Sequence, residues 1–250
     1  MNPECNVTDQ QRFHSRADMD RAGNRCNNPY IRKREQKLAA NILSKLPPAG
    51  KTVLEIGCGE GTNLLYLNAL NDSLSYTGID FSKEKIDAFQ GFPENIRGIV
   101  ADAMKLPFAD EEFDFVFLRD VLHHIDWARP QVMNEAWRVL KRGKTLLVFE
   151  ANPFSPLNVI FWNLYPVERG MKNSSRKEMF ELLYKYGPCS IEYLEPGYLV
   201  RAVSFIFWKS GSENIFARYL LLPVSNIIEK LMCLMPKSFW PCRLYTIKKD

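Results

Sequence analysis

A short apolar run, Thr52 to Ile56, gives way to Gly57-Cys58-Gly59-Glu60-Gly61, and a helical pattern resumes from about Asn63 to Leu70. Three glycines at alternate places, between a buried strand and a helix, let the backbone turn tightly and come close to a ligand. No other feature limits the fold as much. It asks for an α/β chain with a binding site at the end of its first strand. The spacing is G-x-G-x-G, with Glu55 two residues before the first glycine. The dinucleotide pattern is G-x-G-x-x-G, and its sixth place is here Thr62. A carboxylate at position 55 would repel a pyrophosphate and would suit an ammonium group.

The rest of the chain keeps this alternation. Strands are expected over Leu74–Ile79, Ile96–Ala101, Phe113–Leu118 and Lys144–Glu150, with helices over Ser82–Gln90 and Pro130–Leu140. Phe113–Leu118 is apolar on both faces, the mark of a strand inside a parallel sheet covered on both sides. Before the glycine loop, Tyr30–Leu46 has a helical period. Ile31, Leu38, Ile42, Leu43 and Leu46 share one side, Arg32, Lys33 and Lys37 lie outside, and Pro47, Pro48 and Gly50 stop it. Residues 1–28 are polar and aperiodic, a loose arm. After Asn152 the pattern changes. Phe154–Tyr165 is apolar and aromatic, Arg176–Tyr186 reads as a helix and Ile191–Val200 as a strand. Glu213–Met235 reads as two helical pieces split at Pro223, and Arg243–Lys248 as a last strand.

Two acids follow strand ends. Asp80 closes the second strand, where a carboxylate can accept both hydroxyls of a ribose; it is equally placed to cap a helix, as is Ser82. Asp102 follows the third strand and could accept an adenine amino hydrogen or simply serve a turn.

With 250 residues, 46% of them apolar and 25% charged, the chain is neither disordered nor a disulfide-stapled miniature. Its six cysteines form no C-x-x-C, and no histidine pair has metal-ligand spacing, so free thiols in a reducing cytoplasm and no metal are expected. The N-terminus has no signal-peptide pattern. The most apolar stretch, Tyr219 to Ile228, is ten residues long, whereas a spanning helix needs about twenty. The net charge of +4 is mild, but its distribution is uneven: residues 51–150 hold 16 acidic and 11 basic groups, residues 201–250 hold 3 and 8.

Taken in series, Glu55-Ile56-Gly57-Cys58-Gly59-Glu60-Gly61, Asp80-Phe81, Asp102-Ala103-Met104-Lys105-Leu106-Pro107-Phe108 and Leu122-His123-His124 resemble the Rossmann-like S-adenosylmethionine-dependent methyltransferases. The motif matches run from about Thr52 to Asn152. The resemblance implies that Glu55, Gly57, Gly59 and Gly61 line the methionine part of the cofactor. By the same resemblance Asp80 holds the ribose, Phe81 packs on the adenine, Asp102 and Ala103 border the adenine amine, and the carbonyl near Leu118 receives the methionine ammonium. The cofactor implied is S-adenosyl-L-methionine, with S-adenosyl-L-homocysteine as product. The implied fold is an α/β, three-layer sandwich on a seven-stranded, mostly parallel sheet, the last strand antiparallel, with a helical lid over residues 205–240 inserted before it. The whole of 1–250 is then one domain: 1–46 an arm and helix, 47–152 the cofactor-binding half, and 153–250 the acceptor-side half.

Leu118-Arg119-Asp120-Val121-Leu122-His123-His124-Ile125 is also similar to the S-R-D-A-I-L-H-I segment of phosphobase N-methyltransferases. That makes His124 the first candidate for a base and His123 the second; either could instead cap a helix or pack on the sheet. Histidine suits proton removal at neutral pH.

No N-P-P-Y follows the fourth strand and no cysteine is placed to attack a pyrimidine, which disfavours nucleic acid as substrate. A small or lipophilic acceptor is expected. Val224, Ile227, Ile228, Leu231 and Met235 share a helical face amid basic residues. They could pack on the core, or dip into a membrane surface that presents the acceptor. The expected setting is cytoplasmic, with peripheral membrane contact under the second reading. The rivals are a catalytically silent cofactor-binding subunit and an RNA methyltransferase; an NAD(P) oxidoreductase fails at Thr62.

Overall fold

The computed structural model describes residues 22, 25–26, 29–46, 50–194 and 222–250. Most of the N-terminal arm, residues 195–200 of the sixth strand and residues 205–221 of the lid lie outside the described residues.

Helix α1 (Pro29–Ser44) leads into β1 (Thr52–Ile56), α2 (Thr62–Leu70), β2 (Ser75–Asp80), α3 (Lys83–Asp87), β3 (Ile96–Val100) and β4 (Phe113–Arg119). Then come α4 (Arg129–Val139), β5 (Leu140–Ala151), α5 (Pro156–Leu164), a 3₁₀ helix (Pro166–Asn173), α6 (Arg176–Leu183), β6 (Cys189–Leu194), α7 (Leu222–Met232) and β7 (Cys242–Lys248). The seven strands form one sheet in the order β3-β2-β1-β4-β5-β7-β6. Strands β1 to β5 pair in parallel. The last strand, β7, runs antiparallel to both of its neighbours, β5 and β6.

Alternation along each strand sends side chains to opposite faces. Leu54, Ile56, Val116, Leu118, Leu146, Val148, Tyr245 and Ile247 pack under Val132, Met133 and Ala136 of α4 and Met179 and Leu183 of α6. Val53, Phe115, Phe117, Leu147, Phe149 and Leu244 pack against Ala39 and Ile42 of α1 and Leu64 and Leu67 of α2. The result is three layers, helix–sheet–helix. All seven positions of β4 are buried, as expected of a central strand covered on both faces. At its foot the Asp114 carboxylate accepts from the backbone N–H groups of Lys51 (3.0 Å) and Thr52 (3.2 Å), which pins the start of β1.

Two boundaries differ from expectation. Helix α3 is only five residues long, because the chain turns at Gly91 (φ +82°) and Phe89 is drawn under the sheet edge against Gly98. Strand β5 starts at Leu140, directly after α4, through a bulge between Phe113 and Phe115 of its partner. Pro223 lies in the first turn of α7, where its missing N–H would have had no partner; the helical piece expected before it falls on residues 213–221, outside the described residues.

Candidate active site

The strand order reverses between β1 and β4, and the crevice beyond the carboxyl ends of these strands is where open parallel sheets bind ligands. The glycine loop fills one side of it. Gly57 and Cys58 both donate their N–H to the Ile79 carbonyl, at 2.8 and 2.9 Å, which ties the loop to the end of β2. Gly57, Gly59 and Gly61 all have left-handed backbones, with φ of 72°, 56° and 72°. A Cβ on Gly57 would strike Val121 at 2.5 Å, and one on Gly61 would strike Phe89 at 2.5 Å. At Gly59 it would meet nothing within 4 Å, so this residue presents bare backbone to open space.

Asp80, almost fully buried, braces this loop. Its Oδ2 accepts from Gly59 N–H and its Oδ1 from Ser82 N–H, both at 3.0 Å. Burial raises the Asp80 carboxyl, against the pull of Lys85 and the two backbone donors. Ser82, not Asp80, caps α3, accepting from Lys85 N–H. Phe81, next in sequence, is 47% exposed. Asp102 is exposed and accepts from Met104 N–H at 2.8 Å in a local turn; Ala103 beside it is half-buried. Leu118 is fully buried and pairs with Ile56 of β1, so the ends of β1 and β4 lie side by side.

Glu55 is fully buried. Its Oε1 accepts from Asn63 Nδ2, while its Oε2 has no partner among the described residues. Burial pushes its carboxyl up to about 8. Next to it runs a charged network. Arg119, the last residue of β4, donates from both terminal nitrogens to Glu35 of α1, at 2.6 and 3.0 Å. It also reaches Asn63, as does Arg25, which in turn pairs with Glu35 at 2.8 Å. Burial alone would raise the Glu35 carboxyl; the Arg119 and Arg25 guanidiniums outweigh it and hold it well below the usual range.

A second cluster lies where the chain leaves β4. Asp120 takes a positive φ of 55°, and the loop turns back over the sheet. Glu150, at the end of β5, accepts at Oε1 from Val121 and Leu122 N–H, at 3.1 and 2.7 Å, and meets His123 Nδ1 at Oε2, at 2.6 Å. The other nitrogen of His123 faces Glu168 Oε2 at 3.4 Å. Burial would lower the His123 imidazole, but Glu150 and then Glu168 raise it well above its usual value. His124 is half-buried, its ring 4.0 Å from that of His123. The 3₁₀ helix is clamped onto this loop by Arg129, which donates to the carbonyls of Leu122 (2.8 Å) and Gly170 (3.3 Å) and to Ser174 Oγ (2.8 Å).

The fold therefore brings the glycine loop, Glu55, Asp80 and the end of β4 together around one crevice, and the two histidines follow from β4. Glu35, Arg119, Glu150 and Glu168 carry no role in the motifs. A signal for Glu35 was present, since it interrupts the stripe Ile31–Leu38–Ile42 on the buried side of α1. Glu150 ends an apolar strand in the same manner as Asp80.

A glycine loop held by a carboxylate at the switch point of a parallel sheet defines the Rossmann-like class of cofactor-binding domains. Within that class, residues 54–148 match the family described as "Methyltransferase domain". The chain is 33% identical over 117 residues to the 27-O-demethylrifamycin SV methyltransferase of Amycolatopsis mediterranei, covering 44% of this chain and 42% of that one. It is 36% identical over 107 residues to the fatty-acid O-methyltransferase of Mycolicibacterium smegmatis, covering 42% and 38%. The chain thus spans less than half the length of these two relatives. Among solved structures, a SAM-dependent methyltransferase from Archaeoglobus fulgidus superposes with a TM-score of 0.61 at 18% identity, covering 87% of this chain and 94% of that one.

The family's cofactor is S-adenosylmethionine, and the crevice fits it. Gly59 presents bare backbone to open space, Asp80 is fixed beside it, and Glu55 Oε2 is a buried polar atom with no hydrogen-bond partner among the described residues.

Proposed function

We propose that this chain transfers a methyl group from S-adenosylmethionine to a small or lipophilic acceptor. The observation that carries this reading is the bond from Gly59 N–H to Asp80, which sets bare glycine backbone and a carboxylate side by side at the switch point of the sheet. Bound there, the cofactor supplies a methyl group already activated on a sulfonium. The chain's own residues hold and orient. Gly57, Gly59 and Gly61 keep the loop free of side chains, Glu55 and the end of β4 at Leu118 face the ammonium, Asp80 takes the ribose hydroxyls, and Phe81, Asp102 and Ala103 border the adenine.

On the acceptor side, His124 removes a proton from the nucleophile. His123 is buried and held by Glu150 through Nδ1 at 2.6 Å, so it positions the loop instead. The relatives' names support an acceptor that is small or greasy. So does the surface. The face of α7 is turned outward, with Ile227 57% and Leu231 60% exposed, and Leu164 at the end of α5 is 68% exposed. With Lys230 and Lys237 nearby, this face suits a lipid surface, at which a cytoplasmic, thiol-bearing protein would meet its acceptor. No helix among the described residues is long and apolar enough to cross a membrane.

The test is transfer of labelled methyl from S-adenosylmethionine to a panel of small and lipid acceptors, in wild type and His124→Ala. Cofactor affinity should survive the substitution while turnover falls by about 10²–10⁴. Retained turnover would overturn the role of His124. Tight cofactor binding with no transfer to any acceptor would favour a silent binding subunit.

A further inference from the structure

The methyl-transfer reading leaves part of the histidine cluster unused. His123, His124 and Glu168 each offer a ligand atom, and these atoms all lie within 4.8 Å of one another. The 3.4 Å between His123 Nε2 and Glu168 Oε2 is long for a charge-assisted hydrogen bond, which runs at about 2.7–2.9 Å. It matches the edge of a metal tetrahedron. Two ligand atoms each about 2.0–2.1 Å from zinc stand about 3.3–3.4 Å apart.

The support around these atoms is built in the same sense. A ligating histidine almost always places its other N–H on a carboxylate, which fixes the tautomer and turns the lone pair toward the metal. Glu150 does this for His123 Nδ1 at 2.6 Å, and is itself held by two backbone N–H groups. Glu168 is brought in by the 3₁₀ helix, which Arg129 clamps through Gly170, Asn173 and Ser174.

We propose that His123, His124 and Glu168 bind a divalent transition cation of the zinc class. Two imidazoles and one carboxylate suit zinc and its neighbours, whereas magnesium and calcium seek shells of oxygen. Three protein ligands leave one position open, as in sites that admit a small molecule. Sequence spacing gives no sign of the site, because Glu168 lies 44 residues beyond His124. Binding stands independent of the methyl-transfer reading. One consequence rests on that reading: a metal on His124 withdraws it from proton removal, so zinc suppresses transfer.

The whole chain, stripped with a chelator and with its accessible thiols blocked, is titrated with Zn²⁺ by calorimetry and with Co²⁺ by visible absorption. The expected result is one equivalent per chain and the intense bands of tetrahedral cobalt. Glu168→Gln and His124→Ala should each weaken zinc at least tenfold without changing the circular dichroism spectrum. No saturable binding, or binding equal in both variants and wild type, overturns the site and leaves a plain imidazolium–carboxylate pair. Zinc that binds as expected yet leaves methyl transfer unchanged counts against the base role of His124, not against the site.

Discussion

A Cβ on Gly170 would stand 1.8 Å from the carbonyl oxygen of His123. The 3₁₀ helix and the loop after β4 therefore meet backbone to backbone, with no room for even one methyl group. Gly170→Ala must push the two apart and carry Glu168 away from His123. Overpacking of this kind costs about 1–3 kcal/mol or more, which lowers the melting midpoint by roughly 2–12 °C in a chain of this size. A thermal melt checks it, and an unchanged midpoint would mean that the helix does not rest on the loop.

The three loop glycines should separate under substitution. Gly59→Ala strains a left-handed backbone by about 1–2 kcal/mol but touches no protein atom, so the chain stays folded while calorimetric affinity for S-adenosylhomocysteine is lost. Gly61→Ala drives a methyl into Phe89 and Phe92, so its melting temperature falls further than that of Gly59→Ala. Unchanged affinity in Gly59→Val would remove Gly59 from the cofactor site.

Asp80 combines two tasks, bracing Gly59 and meeting the ribose. Hydrogen bonds to a charged acceptor contribute roughly 1.5–3 kcal/mol. Asp80→Ala should weaken S-adenosylhomocysteine by about ten- to a hundredfold. A loss below twofold, measured by calorimetry, would confine Asp80 to the loop.

Glu55 gives a pH dependence of definite sign. Its carboxyl in the folded chain is pushed up to about 8, against about 4.3 when unfolded. Between these values the folded state holds a proton that the unfolded state has lost. Stability due to Glu55 therefore falls as pH rises through this window and levels off above it. Each unit of displacement is worth about 1.4 kcal/mol. Glu55→Gln carries a neutral side chain of the same shape, so its advantage over wild type should grow from pH 5 to pH 8. Urea unfolding at several pH values measures this, and a difference independent of pH would show that Glu55 is charged in the fold.

The exposed face of α7 predicts lipid binding. Each basic residue near an anionic surface contributes about 1 kcal/mol, weakened by salt. The protein should sediment with anionic liposomes, less with neutral ones, and be released as salt rises. Equally negligible binding to both would leave the face as a cap over a soluble acceptor.

How far these features can be seen in the sequence depends on how local they are. Gly57, Gly59 and Gly61, in the turn between β1 and α2, and Asp80, at the end of β2, are legible because the constraint is carried by neighbouring residues. The sheet is legible for the same reason, since strands such as Phe113–Arg119 are mostly apolar, with Phe113, Phe115, Val116, Phe117 and Leu118 on its two faces. Glu35 and Glu150 leave a weaker mark, a charge in an apolar pattern that names no partner. Glu168 leaves none, because its place depends on Gly170 fitting against a carbonyl 47 residues earlier. The length of α3 is likewise set from outside, by Phe89 packing on Gly98 rather than by helix propensity.

The position of β7 has a consequence for synthesis. Strand β6 ends at Leu194, its neighbour in the sheet among the described residues begins at Cys242, and that neighbour also covers the open side of β5. On the ribosome, 47 residues must be added after β6 emerges before either strand has its partner. At about 5–20 residues per second this takes roughly two to nine seconds. During that interval the nascent chain exposes an unpaired strand edge, the surface on which neighbouring polysomal chains aggregate and to which holding chaperones bind.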